Sequence, residues 1–300
     1  MTLALEASQL GKRYGKRWAL RNCDLGVPEG SVTGLVGLNG AGKTTLMHLA
    51  MGLLKPDEGS IRVLGEITGP NATALISRLG FIAQERPLYK SFSVQDMLTL
   101  GRKLNTQWDQ DLAVKTLERL RISLKMRVGK LSGGQQALLS LMMALAKRPQ
   151  MLLLDEPFAS IDPAARRDLT RLLMETAASE GTSILISSHY IMDLENTCDH
   201  LILLAQGQVK LEDDMDHFMS EHKLLIGPRD DFEQIAARHT VLQAGHTGRQ
   251  SNIVVRLSAP FADSRWTIQD LSLEDIVLAY LDPQNVQPEQ SNSEREEVRQ

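Results

Sequence analysis

Eight residues, Gly37-Leu38-Asn39-Gly40-Ala41-Gly42-Lys43-Thr44, separate an apolar stretch at residues 31–36 from a helix-forming stretch that runs from residue 43 to about 53. An apolar run, a glycine-rich loop and a helix in that order read as a buried parallel strand whose chain turns back over the sheet, which makes the chain an α/β protein. The loop also has a chemistry. Its glycines let successive backbone N–H groups point inward at phosphate oxygens, and the first turn of the helix adds its positive end. Lys43 is placed to reach the β- and γ-phosphates of a nucleotide, and Thr44 carries a hydroxyl for magnesium. An ordinary glycine turn requires neither Lys nor Thr in this register.

Two further motifs follow. Residues 151–154 are a short apolar strand ending in Asp155-Glu156, the form of a Walker B motif. Asp155 is expected to bind magnesium and Glu156 to polarise an attacking water; the bland alternative is an aspartate that caps the next helix. Upstream, Leu131-Ser132-Gly133-Gly134-Gln135 opens a helix with a hydroxyl and two glycines, so its free N–H groups and dipole favour an anion.

The whole chain has 300 residues, enough for one domain of roughly 200 residues and a smaller one. Thirty-three Lys+Arg against 37 Asp+Glu give a net charge of -4, so no global basic field attracts nucleic acid, and none is expected as a partner. The basic run Lys12-Arg13-Tyr14-Gly15-Lys16-Arg17 reads as the solvated face of a hairpin. Two cysteines, Cys23 and Cys198, give no disulfide framework and suit a reducing compartment. The N-terminal residues lack a basic segment followed by an apolar one, so a cytoplasmic protein is expected. Residues 137–146 are the most apolar stretch, ten residues long, against about 20 needed to span a bilayer.

Residues 1–30 read as short strands broken by Gly11, Gly15, Pro28 and Gly30. Residues 94 to about 128 read as a helical insertion, and 163–180 as a helix between the strands at 151–154 and 183–186. The sheet domain is expected to cover residues 1–212, with its helical subdomain at about 85–130. Residues 213–282 read as a small α/β accessory domain with a polar helix at about 232–239, a strand at 253–257 and an apolar-periodic segment at 273–281. Residues 283–300, polar and without an aromatic, are expected to be a disordered tail.

Taken in order, these motifs resemble the ATPases of the ATP-binding-cassette (ABC) family over residues 1 to about 212. The resemblance implies a P-loop NTPase cassette, a mixed sheet with a helical subdomain, that uses ATP and Mg2+. It implies that Gly37, Asn39, Gly40, Ala41, Gly42, Lys43, Thr44 and Thr45 wrap the phosphates and that Tyr14 stacks on adenine. Gln84 falls at the Q-loop glutamine, which would join Thr44 and Asp155 at the metal and sense the membrane partner. Ser160-Ile161-Asp162 looks like the D-loop, and His189 like the switch histidine that assists Glu156 and Lys43 in hydrolysis. Singly, Tyr14 would read as core, Gln84 as surface and His189 as structural; their order raises all three.

The same resemblance makes Ser132, Gly134 and Gln135 the signature that closes over a γ-phosphate held by a second cassette. One P-loop and one signature in one chain then imply a dimer, most simply a homodimer. The implied load is a pair of integral membrane permease subunits, with the cassette peripheral on the cytoplasmic face of the membrane and the subgroup similar to bacterial ABC-2-type exporters. A soluble ABC ATPase acting on ribosomes or DNA is the alternative; it would carry tandem cassettes or a long coiled-coil or zinc insertion, which this chain lacks. A silent scaffold is disfavoured by intact Lys43, Asp155, Glu156 and His189. One departure stands out: after Gln135 the chain continues Gln136-Ala137-Leu138-Leu139, where the family usually has basic or polar residues, and a buried apolar helix is expected.

Overall fold

The computed structural model describes residues 2–69 and 72–281. The chain divides into two compact units, one up to Met215 and one from Asp216 onward. The expected disordered tail lies outside the described residues.

The first unit begins with two antiparallel strands, β1 (Leu3–Tyr14) and β2 (Arg17–Pro28), followed by β3 (Val32–Val36) and helix α1 (Lys43–Ala50). Then come β4 (Glu58–Val63), β5 (Glu66–Ile67), α2 (Thr73–Ser77) and β6 (Leu79–Ile82). Helices α3 (Val94–Leu104), α4 (Gln110–Arg119) and α5 (Gly133–Leu145) lead to β7 (Met151–Asp155). The unit closes with α6 (Pro163–Glu180), β8 (Ser183–Ser188), α7 (Met192–Glu195), β9 (His200–Ala205) and β10 (Gln208–Asp214).

Two sheets result. One is antiparallel, in the order β2-β1-β4-β5; the other has the order β10-β9-β3-β8-β7-β6, parallel except for β10. Strands β3, β7 and β8 are buried at every position, which is why they read as near-continuous runs without alternation. A core that includes Leu5, Leu20, Leu46, Leu153 and Ile202 joins residues of both sheets and α1.

Several boundaries differ from the sequence reading. The strands of residues 1–30 are two long ones of 12 residues each, and Gly11 and Gly26 lie inside them. Helix α1 ends at Ala50 because the chain turns at Gly52, whose φ is +68°. The helical stretch after residue 94 is two helices: α3 starts on the Ser93–Asp96 capping box and stops at extended Asn105, and Asp109 caps α4 anew. Helix α6 follows the sequence reading, capped by Asp162 and ended by left-handed Gly181. Helix α5 buries Ala137, Leu138, Leu139, Leu141, Met142, Ala144 and Leu145, which accounts for the apolar residues after Gln135. Cys23 and Cys198 are free and buried, and burial raises both thiol pKa values.

The second unit holds an antiparallel sheet of β11 (His222–Pro228), β12 (Thr240–Thr247), β13 (Gln250–Arg256) and β14 (Thr267–Asp270), in the order β12-β13-β11-β14. Helix α8 (Met215–Glu221) starts on the last residue of the first unit; α9 (Phe232–Ala236) and α10 (Leu273–Leu281) lie wholly in the second, and Leu225, Ile235, Ile253, Val255 and Trp266 form its core. The polar helix is shorter than expected, and the expected strand at 253–257 begins earlier, at Gln250. Among the described residues no helix is long and apolar enough to cross a membrane.

Candidate functional site

Three neighbouring strands deliver the site. In the order β3-β8-β7, their C-terminal ends carry the glycine loop, His189 and the Asp155-Glu156 pair respectively. The carboxyl ends of parallel strands are where α/β sheets bind ligands.

The loop after β3 depends on glycine at two points. A Cβ on Gly37 would collide with the carbonyl of Leu204, and Gly42 has φ +113° with the Ala19 carbonyl 2.6 Å from where its Cβ would lie. Gly42 provides no side-chain cap for α1, so N–H groups at the start of the helix remain for a ligand. Lys43 folds back over the loop: its Nζ donates to the carbonyl oxygen of Gly37 at 2.7 Å and lies 3.5 Å from that of Leu38.

Lys43 Nζ also lies 3.5 Å from Glu156 Oε1. The other oxygen of that carboxylate, Oε2, is 2.6 Å from His189 Nδ1 and accepts the His189 backbone N–H at 3.3 Å. Asp155 is nearly fully buried, and its Oδ1 accepts the Ser187 hydroxyl at 2.7 Å. The same hydroxyl oxygen accepts the Glu156 N–H at 3.0 Å, so Ser187 orients both acidic residues. The backbone of Glu156 is left-handed, φ +51°, a costly conformation that turns the carboxylate out of the strand direction.

Lys43 and Glu156 border a cavity of about 580 Å³, which is in the usual range for a small-molecule site. Tyr14, Asn39, Gly40, Ala41, Gly42, Lys43, Thr44, Thr45, Gln84 and Glu156 all line it. Gly37, Asp155 and His189 do not line it; Gly37 and His189 bond to Lys43 and Glu156, which do, and Asp155 precedes Glu156 in the chain. Ser132, Gly134 and Gln135 lie elsewhere. Ser132 caps α5 in a reciprocal box with Gln135, and Gly134 packs so closely on Asp162 and Ala165 that a side chain there would collide.

Sequence reasoning missed three residues here. Arg17 and Ala19 line the cavity from β2, and no local pattern marks them. Ser187 did leave a signal: Ser187-Ser188 ends an otherwise apolar buried strand, where unpartnered hydroxyls would be costly.

A family model described as ABC transporter matches residues 20–159. The lantibiotic transport ATP-binding protein SrtF of Streptococcus pyogenes is 33% identical over 213 residues, covering 71% of this chain and 91% of that protein. The chain belongs to the ABC transporter family. Within it, this is the ATP-binding domain, an ATPase with a P-loop cassette fold. The Nod factor export ATP-binding protein I of Rhizobium sp. (strain N33) is 32% identical to this ABC protein, over 73% of this chain and 74% of its own. The bacitracin transport ATP-binding protein BcrA of Bacillus licheniformis is 29% identical, over 74% of each. Among solved structures, the ATP binding subunit of an ABC transporter superposes with a TM-score of 0.66 at 26% identity, over 73% of this chain and 92% of that one.

Proposed function

We propose that this ABC ATPase powers export through separate membrane subunits, by ATP-driven closure of two cassettes. The observation that carries the reading is the convergence of Lys43 and His189 on the one carboxylate of Glu156, beside the phosphate-binding loop. The transport names of the relatives at 29–33% identity support the exporter class.

Each residue then has a task. Tyr14 stacks on adenine, and the loop from Gly37 to Thr45, with Lys43 and the start of α1, binds the phosphates. Glu156 accepts the proton of the attacking water, and His189 holds that carboxylate in place and approaches the γ-phosphate. The hydroxyl of Thr44, the amide oxygen of Gln84 and the carboxylate of Asp155 are an oxygen-only donor set of the kind magnesium takes, which fits the ion the family uses. When bound, magnesium neutralises charge on the β- and γ-phosphate oxygens. Ser187 orients the Asp155 carboxylate for that task.

Ser132, Gly134 and Gln135 do not line their own chain's cavity, which supports their use across a dimer, on the γ-phosphate of a second copy. Hydrolysis removes the group both copies hold, and the pair opens. The location that follows is the cytoplasmic face of the membrane, against permease subunits.

The test is recovery of a tagged chain from solubilised membranes. Co-purification of an integral membrane protein, with ATP turnover that Glu156→Gln abolishes, is the expected result. Recovery with ribosomes or DNA instead contradicts the transport reading.

A further inference from the structure

The loop that leaves Glu156 is held by its main-chain carbonyls, and the donors are arginines. Arg86 Nη2 donates to the carbonyl oxygen of Pro157 at 2.7 Å and to that of Ala159 at 2.9 Å. Between these two, the carbonyl of Phe158 accepts from Arg166 Nη2 at 3.4 Å. Three consecutive carbonyls after Glu156 are therefore tied to residues from other segments.

Those segments matter. Arg86 follows two residues after Gln84, in a tight turn closed by its own N–H on the carbonyl of Ala83 at 3.0 Å. Arg166 donates through Nη1 to Asp193 Oδ1 at 2.9 Å and lies over the Tyr190 ring, which is itself 4.1 Å from the His189 ring. The loop from Glu156 to Asp162 is thus clamped to the segment of Gln84 on one account and to that of His189 on the other.

Arg86 is an expensive choice for a mere loop contact. Its guanidinium is partly buried, burial lowers its pKa, and what it meets are neutral carbonyls. The backbone around it is strained as well: Arg86, Glu156 and Ser160 all have left-handed φ, at +45°, +51° and +59°. Such conformations in residues other than glycine persist where the surroundings over-determine them, and they gather at functional sites. A donor that takes two carbonyls of the same short loop is a device for holding that strain in one geometry.

We infer that Arg86 is a positioning residue for ATP hydrolysis, fixing the Glu156–Asp162 loop to the Gln84 segment so that Glu156 is held in its productive orientation. The inference rests on the roles proposed above for Glu156 and Gln84. It acts through Glu156 and not through nucleotide contact, since Arg86 does not line the cavity.

The experiment compares the unmodified chain with Arg86→Ala, Arg86→Lys and Glu156→Gln in steady-state ATP turnover, binding of a fluorescent ATP analogue and urea midpoint. Misplacing a reacting group by an ångström can cost about 100-fold. Arg86→Ala is expected to lower kcat by about 10-fold or more while the Kd of the analogue stays within about threefold. Arg86→Lys is expected to restore part of the rate, because one ammonium can still reach these carbonyls. Should the alanine variant not fold, Arg86→Met, which keeps the side chain's bulk and removes its N–H donors, takes its place in the same comparison. A kcat within about twofold of the unmodified chain, a loss explained by Kd, or a loss no larger than the fall in folded fraction overturns the inference. Native turnover in Glu156→Gln is a different result: it removes the premise, and the role proposed for Glu156 falls first.

Discussion

Lys43 Nζ and Glu156 Oε1 face each other at 3.5 Å, with the two side chains only 7% and 6% exposed. The proposed phosphate-binding cation and the proposed base are therefore each other's partners, and His189 at 2.6 Å shares the same carboxylate. A phosphate that binds at Lys43 must compete with Glu156 for the lysine's charge. Opposite charges at such range in a buried site attract strongly, so the competition has a measurable sign.

Glu156→Gln removes the competing charge along with the base. ATP affinity, measured by calorimetry, is expected to be a few-fold tighter, while turnover falls by about 100-fold or more. ATP binding weakened by the substitution would contradict the competition.

Ser187 gives a test away from the nucleotide. Its hydroxyl donates to the Asp155 carboxylate and accepts from the Glu156 backbone N–H, so Ser187→Ala frees the Asp155 carboxylate and the Glu156 main chain from one shared anchor. Loss of such a supporting bond typically costs about 10- to 100-fold in metal affinity or activity. A magnesium titration of ATPase activity is expected to shift its midpoint upward by that factor; an unshifted midpoint would exclude Ser187 from metal positioning.

Helix α5 is expected to answer in stability and not in nucleotide binding. Leu139 is fully buried, and Leu139→Ala should cost about 2–5 kcal/mol in urea unfolding. The ATP affinity of the protein that remains folded should not change.

The cap of α6 carries a pH dependence. The N–H groups of Ala165 and Ala164 bond to Asp162 and hold its pKa below the ordinary 3.8. With the folded value below the unfolded one, the stabilisation is fully present above about pH 4 and is lost as pH falls through the folded value. The gap in urea midpoint between the unmodified chain and Asp162→Ala should therefore be wide at neutral pH and narrow as pH falls below about 4; a gap independent of pH contradicts the ionised cap.

The glycine loop and the acidic pair were legible because each is contiguous in sequence, and because β3 and β7 are buried on both faces and so lack the alternation of a half-exposed strand, β7 as the apolar run Met151–Leu154. Helix α6 was legible for a local reason too, with Asp162-Pro163 at its start and Gly181 at its end. Strands whose stability comes from distant partners were not. In the second unit β11 pairs with both β13 and β14, and β12 exposes most of its residues, so neither carries the pattern that marks a strand. Arg17 and Arg86 were missed on the same ground: each acts on residues brought near by folding, at sequence positions where arginine is ordinary.

The proposed signature contact makes a complete site out of two copies of this chain. Light scattering on purified Glu156→Gln with saturating ATP and magnesium measures it most directly. A particle of twice the 33.3 kDa chain mass is expected, reverting to one chain when ATP is withdrawn and failing to form in the Ser132→Arg/Glu156→Gln double variant. A chain that binds ATP to saturation and stays at 33.3 kDa would contradict it.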